Sequence, residues 1–299
     1  MQPSPRGWLS EGRRVLFGER KVVDGLKRLL GRGHSLGLTL VLTLGALLVL
    51  SPLLVVLCTS GWPPGTLPTQ LLPPQGWTWQ SYQAAWQQGH FILAFANSTF
   101  VALAVTALQL VTSALAGYAL ARLSFPGQQT MLLLMLATLV IPFQLLVIPI
   151  FLILKAGHLI NTYGALILPT AANGFGVFLM RQFFLTLPVA LEEAALLDGA
   201  NRWQVLWHIL LPLSRPALVT LFIFTFIGEW NDLFKPLVFT TKPELITVQL
   251  SLANFQEQFT NDWPLMMAAA VIATVPVMIL FILGQRQLIR GIATTGLKS

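Results

Sequence analysis

Residues 187–203 read LPVALEEAALLDGANRW, a short amphipathic segment between two long apolar runs. Pro188 suits the first turn of a helix, and Glu192 and Glu193 fall near its positive N-terminal end. Alanine and leucine are strong helix formers, so the segment predicts a short helix over residues 189–198. A helix this short is stabilised mainly by the residues that it contacts.

The chain direction must change at Gly199, because glycine enters the left-handed conformation without a side-chain clash. A second helix is predicted from about 202 to 211, before Pro212 and Pro216. Residues 187–212 therefore form a compact elbow that leaves one apolar run and returns to the next.

The composition around the elbow is that of a membrane protein. Apolar residues make up 55% of the chain, charged residues 10%, and the mean hydropathy is +0.72. A bilayer-spanning helix needs about 20 mostly apolar residues, and six runs reach that length. The sequence thus predicts an all-α, polytopic fold with six transmembrane helices, over about 36–57, 91–120, 131–154, 163–184, 213–238 and 265–283.

Several prolines fall inside these runs, where each removes a backbone donor and tends to kink a helix. In a membrane bundle, neighbouring helices can satisfy the carbonyls that such a kink frees. We therefore expect bent spans. The prolines are Pro52, Pro142, Pro149, Pro169 and Pro276.

The basic residues indicate the orientation of the chain in the membrane. With both termini in the cytoplasm, all of the 18 Lys and Arg except Lys155, Lys235 and Lys242 lie on the cytoplasmic side. The positive-inside rule favours that arrangement and an even number of spans. We expect a basic cytoplasmic leader over 1–34, a permease domain over 35–285 and a cytoplasmic tail over 286–299.

The sequence offers no catalytic, metal or nucleotide site of its own. The form G-x-x-x-x-G-K-[ST] of a phosphate-binding loop is absent, and the four histidines lack metal-ligand spacing. Cys58 is the single cysteine, and the basic residues lie at segment ends rather than in a patch for nucleic acid. Any ATP energy must therefore come from a partner, and we expect no enzyme activity.

The elbow resembles a known family motif. Glu193-Ala194-Ala195, Asp198-Gly199-Ala200, Ile209 and Leu211-Pro212 match the EAA loop of ATP-binding-cassette (ABC) import permeases. The resemblance implies a coupling helix that sits in a groove of the ATPase subunit. Leu206 departs from the pattern, since the family has an aromatic residue there. The coupling residues expected from this resemblance are Glu192, Glu193, Ala194, Ala195, Asp198, Gly199 and Ala200.

Weaker matches are similar to the carbohydrate-uptake branch of this family, which includes the smaller maltose-transporter permease. They are Asn97-Ser98, residues 119–122 with 125–127, Glu229-Trp230-Asn231-Asp232, Asp262-Trp263 and the terminal segment 290–299. The resemblance implies that the tail reaches between two ATPase subunits as an extended insertion; a frayed terminus is the alternative. The tail residues concerned are Gly291, Thr294, Thr295, Gly296 and Lys298.

Polar residues inside the spans have two interpretations. Acidic groups and amides in a membrane are expensive, so they are functional candidates, but amides often join helix to helix instead. Lys235 follows Asp232 at i+3, which predicts a local ion pair near the outer rim. The residues considered for a translocation path are Asn97, Gln144, Asn173, Glu229, Asn231 and Asp232.

The resemblance implies a permease subunit in the bacterial cytoplasmic (inner) membrane that moves a sugar or sugar-like solute inward by alternating access. Its implied partners are a second homologous permease subunit, two ABC ATPase subunits that bind ATP and Mg, an extracytoplasmic solute-binding protein and membrane lipid. The alternatives are an ion-coupled secondary transporter, which predicts internal repeats, and an ABC permease for a non-sugar solute.

Overall fold

The computed structural model describes the backbone of residues 32–296 and the side chains of residues 37–285. Most of the expected leader, and Lys298 in the tail, lie outside the described residues. The chain divides into two compact units, 1–58 and 59–299.

The described residues form helices joined by turns, and no strand occurs among them, which confirms the all-α prediction. We label the α-helices in chain order. They are α1 (Arg32–Ser60), α2 (Gln80–Gln88), α3 (Phe91–Arg122), α4 (Gln128–Thr138), α5 (Val147–Ala156), α6 (Tyr163–Ile167), α7 (Gly174–Thr186), α8 (Ala190–Leu197), α9 (Arg202–Leu213), α10 (Arg215–Trp230), α11 (Phe234–Phe239), α12 (Val248–Gln258) and α13 (Trp263–Gly296).

Three of the described helices are long and apolar enough to cross a membrane alone: Gly37–Ser60, Phe91–Arg122 and Trp263–Gln285. Three further helix pairs pass the same test only when taken together, so the described residues hold up to six spans. Helix α1 has large apolar side chains that are exposed, as expected for a helix in contact with lipid. Leu48 and Val49, for example, are 76% and 73% exposed.

The predicted third and fourth spans are not continuous helices. Helix α4 and the segment Phe143–Ala156 meet at 95°, with Pro142 at the break. The segment Tyr163–Thr170 and α7 meet at 44°, just after Pro169. Each proline lacks the backbone N–H that would continue the helical hydrogen bonds. The helices are therefore broken at these two prolines and not only kinked, as had been expected. At Pro52 and Pro276 the helices α1 and α13 continue instead.

The predicted fifth span is also shorter than expected. Helix α10 ends at Trp230 instead of continuing to residue 238, and α9 meets it at 76°. Its 16 residues cover about 24 Å at 1.5 Å per residue, less than the roughly 30 Å of a hydrocarbon core. Just after this end, the Asp232 carboxylate accepts the backbone N–H of Phe234, the first residue of α11.

The extended tail predicted at the C-terminus is a helix as far as Gly296. The described backbone thus places Gly291, Thr294, Thr295 and Gly296 in α13. Each glycine inside a helix costs only about 1 kcal/mol relative to alanine, and the nearby Leu288 and Ala293 are strong helix formers.

The core of the second unit is built around α3, which packs against α7 and α10. The closest approach is at two glycines. A β-carbon on Gly117 would lie 2.8 Å from the Met180 Cβ and 2.9 Å from the Arg181 backbone nitrogen, and one on Gly176 would overlap the Ser113 hydroxyl. Small residues let helix backbones approach closely, as is common in membrane bundles.

We predict that Gly117→Ala lowers the free energy of unfolding by about 1–3 kcal/mol, because the added methyl group meets backbone atoms of α7 that cannot shift easily. Gly228→Ala is the matched control, since its β-carbon would enter open space. Thermal unfolding in detergent measures both. Equal melting temperatures for the two variants would contradict the close α3–α7 contact.

Candidate functional site: the elbow and the polar contacts of the bundle

Helix α8 (Ala190–Leu197) is the short helix predicted for the elbow. Glu193 and Ala194 are exposed, Ala195 is half-buried, and Leu197 is 89% exposed. This face therefore presents one carboxylate, small residues and a large apolar side chain to the surroundings. Such a surface can dock into a groove on another protein.

The turn after α8 has the predicted glycine in the predicted conformation. Gly199 has φ +88°. The Ala200 N–H donates to the Ala195 carbonyl at 2.9 Å, and the Gly199 N–H donates to the Leu196 carbonyl at 3.1 Å. These two bonds form a Schellman motif, which satisfies carbonyls at the helix end. Asp198, also exposed, is the last residue before the turn.

The second elbow helix, α9, begins with a capping box. The Asn201 side chain accepts the Gln204 N–H, and the Gln204 side chain accepts the Asn201 N–H. The helix runs two residues further than predicted, through Pro212, and contains a π-helical turn over Leu206–Leu210. A π turn directly before a proline accommodates the missing donor.

Leu206, the position that departs from the family pattern, is buried under the elbow. It lines a groove of about 290 Å³ whose walls are almost entirely apolar, together with Tyr118 and Trp203. A leucine side chain is smaller than an aromatic ring and so fills less of this groove.

Glu192 differs from the other expected coupling residues, because its carboxylate faces inward. Its Oε1 lies 2.5 Å from the Arg122 Nε, and the two side chains are only 10% and 9% exposed. The Arg122 Nη2 also donates to the Leu187 carbonyl at 2.7 Å. From the sequence, Arg122 was only one of the basic residues that mark the cytoplasmic side. Its pair with Glu192 joins residues 70 positions apart.

Lys235 forms the centre of a second charged cluster. Its ammonium nitrogen lies 2.5 Å from the Glu229 carboxylate, 3.3 Å from the Asp232 carboxylate and 2.7 Å from the Thr170 hydroxyl. The predicted pair of Asp232 with Lys235 is thus confirmed. The lysine side chain is 3% exposed, so the cluster ties α10, α11 and the break before α7 together inside the protein.

Amides satisfy the backbone at that same break. The Gln109 side chain donates to the Thr170 carbonyl at 2.6 Å and accepts from the Asn173 amide and the Thr225 hydroxyl. Asn173 also caps α7 by accepting the Gly176 N–H at 2.7 Å. Breaks inside a membrane protein persist only where such partners replace the lost helical bonds.

The other residues considered for a path are placed separately. Asn97 is buried; its amide donates to the carbonyls of Glu244 and Ile246 and accepts from the Tyr163 hydroxyl. Asn231 is exposed and accepts from the Gln249 amide, and Gln144 is exposed at the break between α4 and α5. The structure does not bring these three side chains together with the Glu229 cluster into one cavity.

Comparisons with known proteins agree with this architecture. The family described as "Binding-protein-dependent transport system inner membrane component" matches residues 110–294. The chain belongs to this family and is therefore an ABC importer permease.

Its relatives include several named transport permeases. An arabinooligosaccharides transport system permease of Halalkalibacterium halodurans is 36% identical over 204 residues, which are 68% of this chain and 73% of that protein. A trehalose transport system permease of Mycobacterium tuberculosis is 33% identical over 83% of this chain and 92% of its own length. An sn-glycerol-3-phosphate transport system permease of Yersinia pestis is 31% identical over 87% and 96%.

Solved structures show the same fold. A chain of a bacterial ABC transporter involved in the import of the acidic polysaccharide alginate superposes with a TM-score of 0.75 at 25% identity, covering 85% of this chain and 96% of that one. A second chain, from an alginate transporter in complex with its periplasmic protein, has a TM-score of 0.61 at 15% identity over 87% and 95%.

We predict that Lys235→Met lowers the free energy of unfolding by roughly 3–5 kcal/mol, because it leaves two carboxylates without their shared cation in a buried site. Lys242→Met is the control, since that side chain is exposed; its effect should stay within about 0.5 kcal/mol. Thermal unfolding of the purified protein compares them. A Lys235 variant as stable as the Lys242 variant would show that the cluster does not hold α10 and α11.

Proposed function

We propose that this chain is one permease half of an ABC importer that moves a sugar or sugar-like solute inward by alternating access. In this proposal a second homologous permease subunit completes the pathway and two ATPase subunits bind ATP and Mg. An extracytoplasmic binding protein delivers the solute. Family membership supports the permease role, and the names of the arabinooligosaccharide and trehalose relatives support the sugar class.

The observation that carries the proposed coupling is the shape of the elbow. Helix α8 has an outward face with Glu193 and Ala194, and an inward face fixed by Glu192. An alanine lets a neighbouring backbone approach closely, and an exposed carboxylate offers a charge-assisted hydrogen bond to a partner. ATP-driven closure of the ATPases would thus displace the elbow and, with it, the helices it joins.

The same proposal places both termini and the elbow in the cytoplasm of a bacterial cell, with the protein in the cytoplasmic membrane. The excess of Lys and Arg on that side supports this orientation. The helices α11 and α12 then lie on the outer side, where a binding protein approaches.

We expect Glu193→Lys to abolish co-purification of the ATPase subunits and ATP-driven uptake, because it reverses the charge on the docking face. Glu257→Lys, an exposed acidic residue in α12 and therefore away from the elbow, is the matched control for assembly and should keep co-purification of the ATPase subunits. The assay uses the four-subunit complex in proteoliposomes with its loaded binding protein. Normal assembly and uptake in the Glu193 variant would contradict the coupling role.

The solute class is tested through the binding protein. Mass spectrometry of the ligand that it carries from cells, followed by stimulation of ATP hydrolysis in the complex with that compound, identifies the solute. We expect a mono-, di- or oligosaccharide or a glycoside. An amino acid, peptide or metal ion as the stimulating ligand would contradict the sugar class.

Topology gives an independent check. In a Cys58→Ser background, a cysteine at Leu197 should react with a membrane-impermeant maleimide only after the cytoplasmic face is exposed. A cysteine at Thr241, also an exposed position, should react from outside. Labelling of both positions from the same side would contradict the orientation.

A further inference from the structure

Arg122 connects three separate segments at the end of α3 that faces the elbow. Its guanidinium contacts the Glu192 carboxylate on α8 and donates to the carbonyl of Leu187, the residue that ends α7. The Nε–H is not aimed at the carboxylate oxygen, so the contact with Glu192 is mainly electrostatic. The Arg122 side chain thus contacts both Leu187, where the elbow begins, and α8, the helix proposed to dock.

The contact is buried, which makes breaking it costly. A buried charge is costly unless it is paired, so neither partner can leave without leaving the other uncompensated. Tyr118, one turn earlier on α3, lies near Glu192, Arg202 and Arg122. The polar side of the elbow therefore faces α3 at more than one point.

Apolar packing reinforces this attachment. Tyr118 packs in one cluster with Phe184 of α7 and with Leu206 and Leu210 of α9. On the same stretch of α3, Gly117 meets Met180, and the Leu120 carbonyl accepts from the Arg181 Nε at 3.1 Å. The end of α3, the end of α7 and the elbow consequently form one packed body.

We propose that Arg122 is a positioning residue for coupling: through Glu192 it holds the docking helix in a fixed orientation to α3. Movement of the elbow then displaces α3 together with α7 and α10. This inference rests on the proposed function, which by itself requires only that the elbow move the two spans that it connects. The added claim is that α3 also moves with the elbow, although its last residue, Arg122, lies 65 positions before Leu187.

The test measures a distance within this chain in the assembled complex. In the Cys58→Ser background, nitroxide labels at Leu108 on α3 and Leu191 on α8 occupy exposed positions. Leu191 points away from the Glu193 face, because two residues turn a helix by about 200°. The separation of the two labels is measured by pulsed electron paramagnetic resonance in lipid nanodiscs, without nucleotide and after trapping with ATP and vanadate. We expect one narrow distance that is unchanged between the two states.

The paired variant Arg122→Met with Glu192→Leu separates positioning from stability. Two apolar side chains of similar size can replace a buried ion pair with little loss of stability, so the melting temperature should stay near that of the parent. The distance distribution should nevertheless broaden, and uptake per ATP hydrolysed should fall. The single variant Arg122→Lys keeps a cation beside Glu192 and a donor for the Leu187 carbonyl, so its distance distribution should stay narrow.

Two results would overturn the inference: a distance that changes between the two states in the parent, or a distance that stays narrow in both states in the paired apolar variant. Neither result depends on the role of Glu193. Conversely, a Glu193→Lys protein that still assembles with its ATPases would refute docking by α8, whereas the Leu108–Leu191 distance tests the role of Arg122 by itself.

Discussion

The bundle depends on one constraint: every backbone group freed where a helix is interrupted needs a hydrogen-bond partner. The bond from the Gln109 side chain to the Thr170 carbonyl meets that need. Hydrocarbon offers no water to a free backbone group, so a span can be interrupted only where side chains replace the lost bonds. Here an amide, a lysine and an asparagine meet at one break and hold α3, α7, α10 and α11 together. The contacts of Asn173 and Glu229 thus stabilise interrupted helices, whereas Asn97 joins α3 to the segment before α12.

Local patterns in the sequence predicted the elbow well. Alanine and leucine propensity, two early glutamates and a following glycine are short-range signals, and α8 and Gly199 appear where these signals place them. The interruptions were harder to predict. Proline marked their positions, but whether a proline bends or breaks a helix depends on neighbours distant in the sequence, such as Gln109 for the break after Pro169. The same limit applies to Arg122, because its pairing with Glu192 spans 70 residues and has no local signature.

The two adjacent glutamates of α8 lie on one helical turn but have different surroundings. Successive residues on a helix point about 100° apart, so Glu192 and Glu193 cannot face the same surface. One carboxylate is buried against α3 and the other is exposed. A motif match assigns both to docking, whereas the geometry leaves only the second available to a partner.

The turn at Gly199 is closed by bonds among residues 194–200 alone, with the capping box at Asn201 beginning the next helix. The elbow therefore reaches its final shape without help from another chain. Association with a preformed surface loses little conformational entropy, so less of the contact energy is consumed in ordering the segment. If the elbow couples to ATPase subunits as proposed, it would bind and release them in each cycle without refolding.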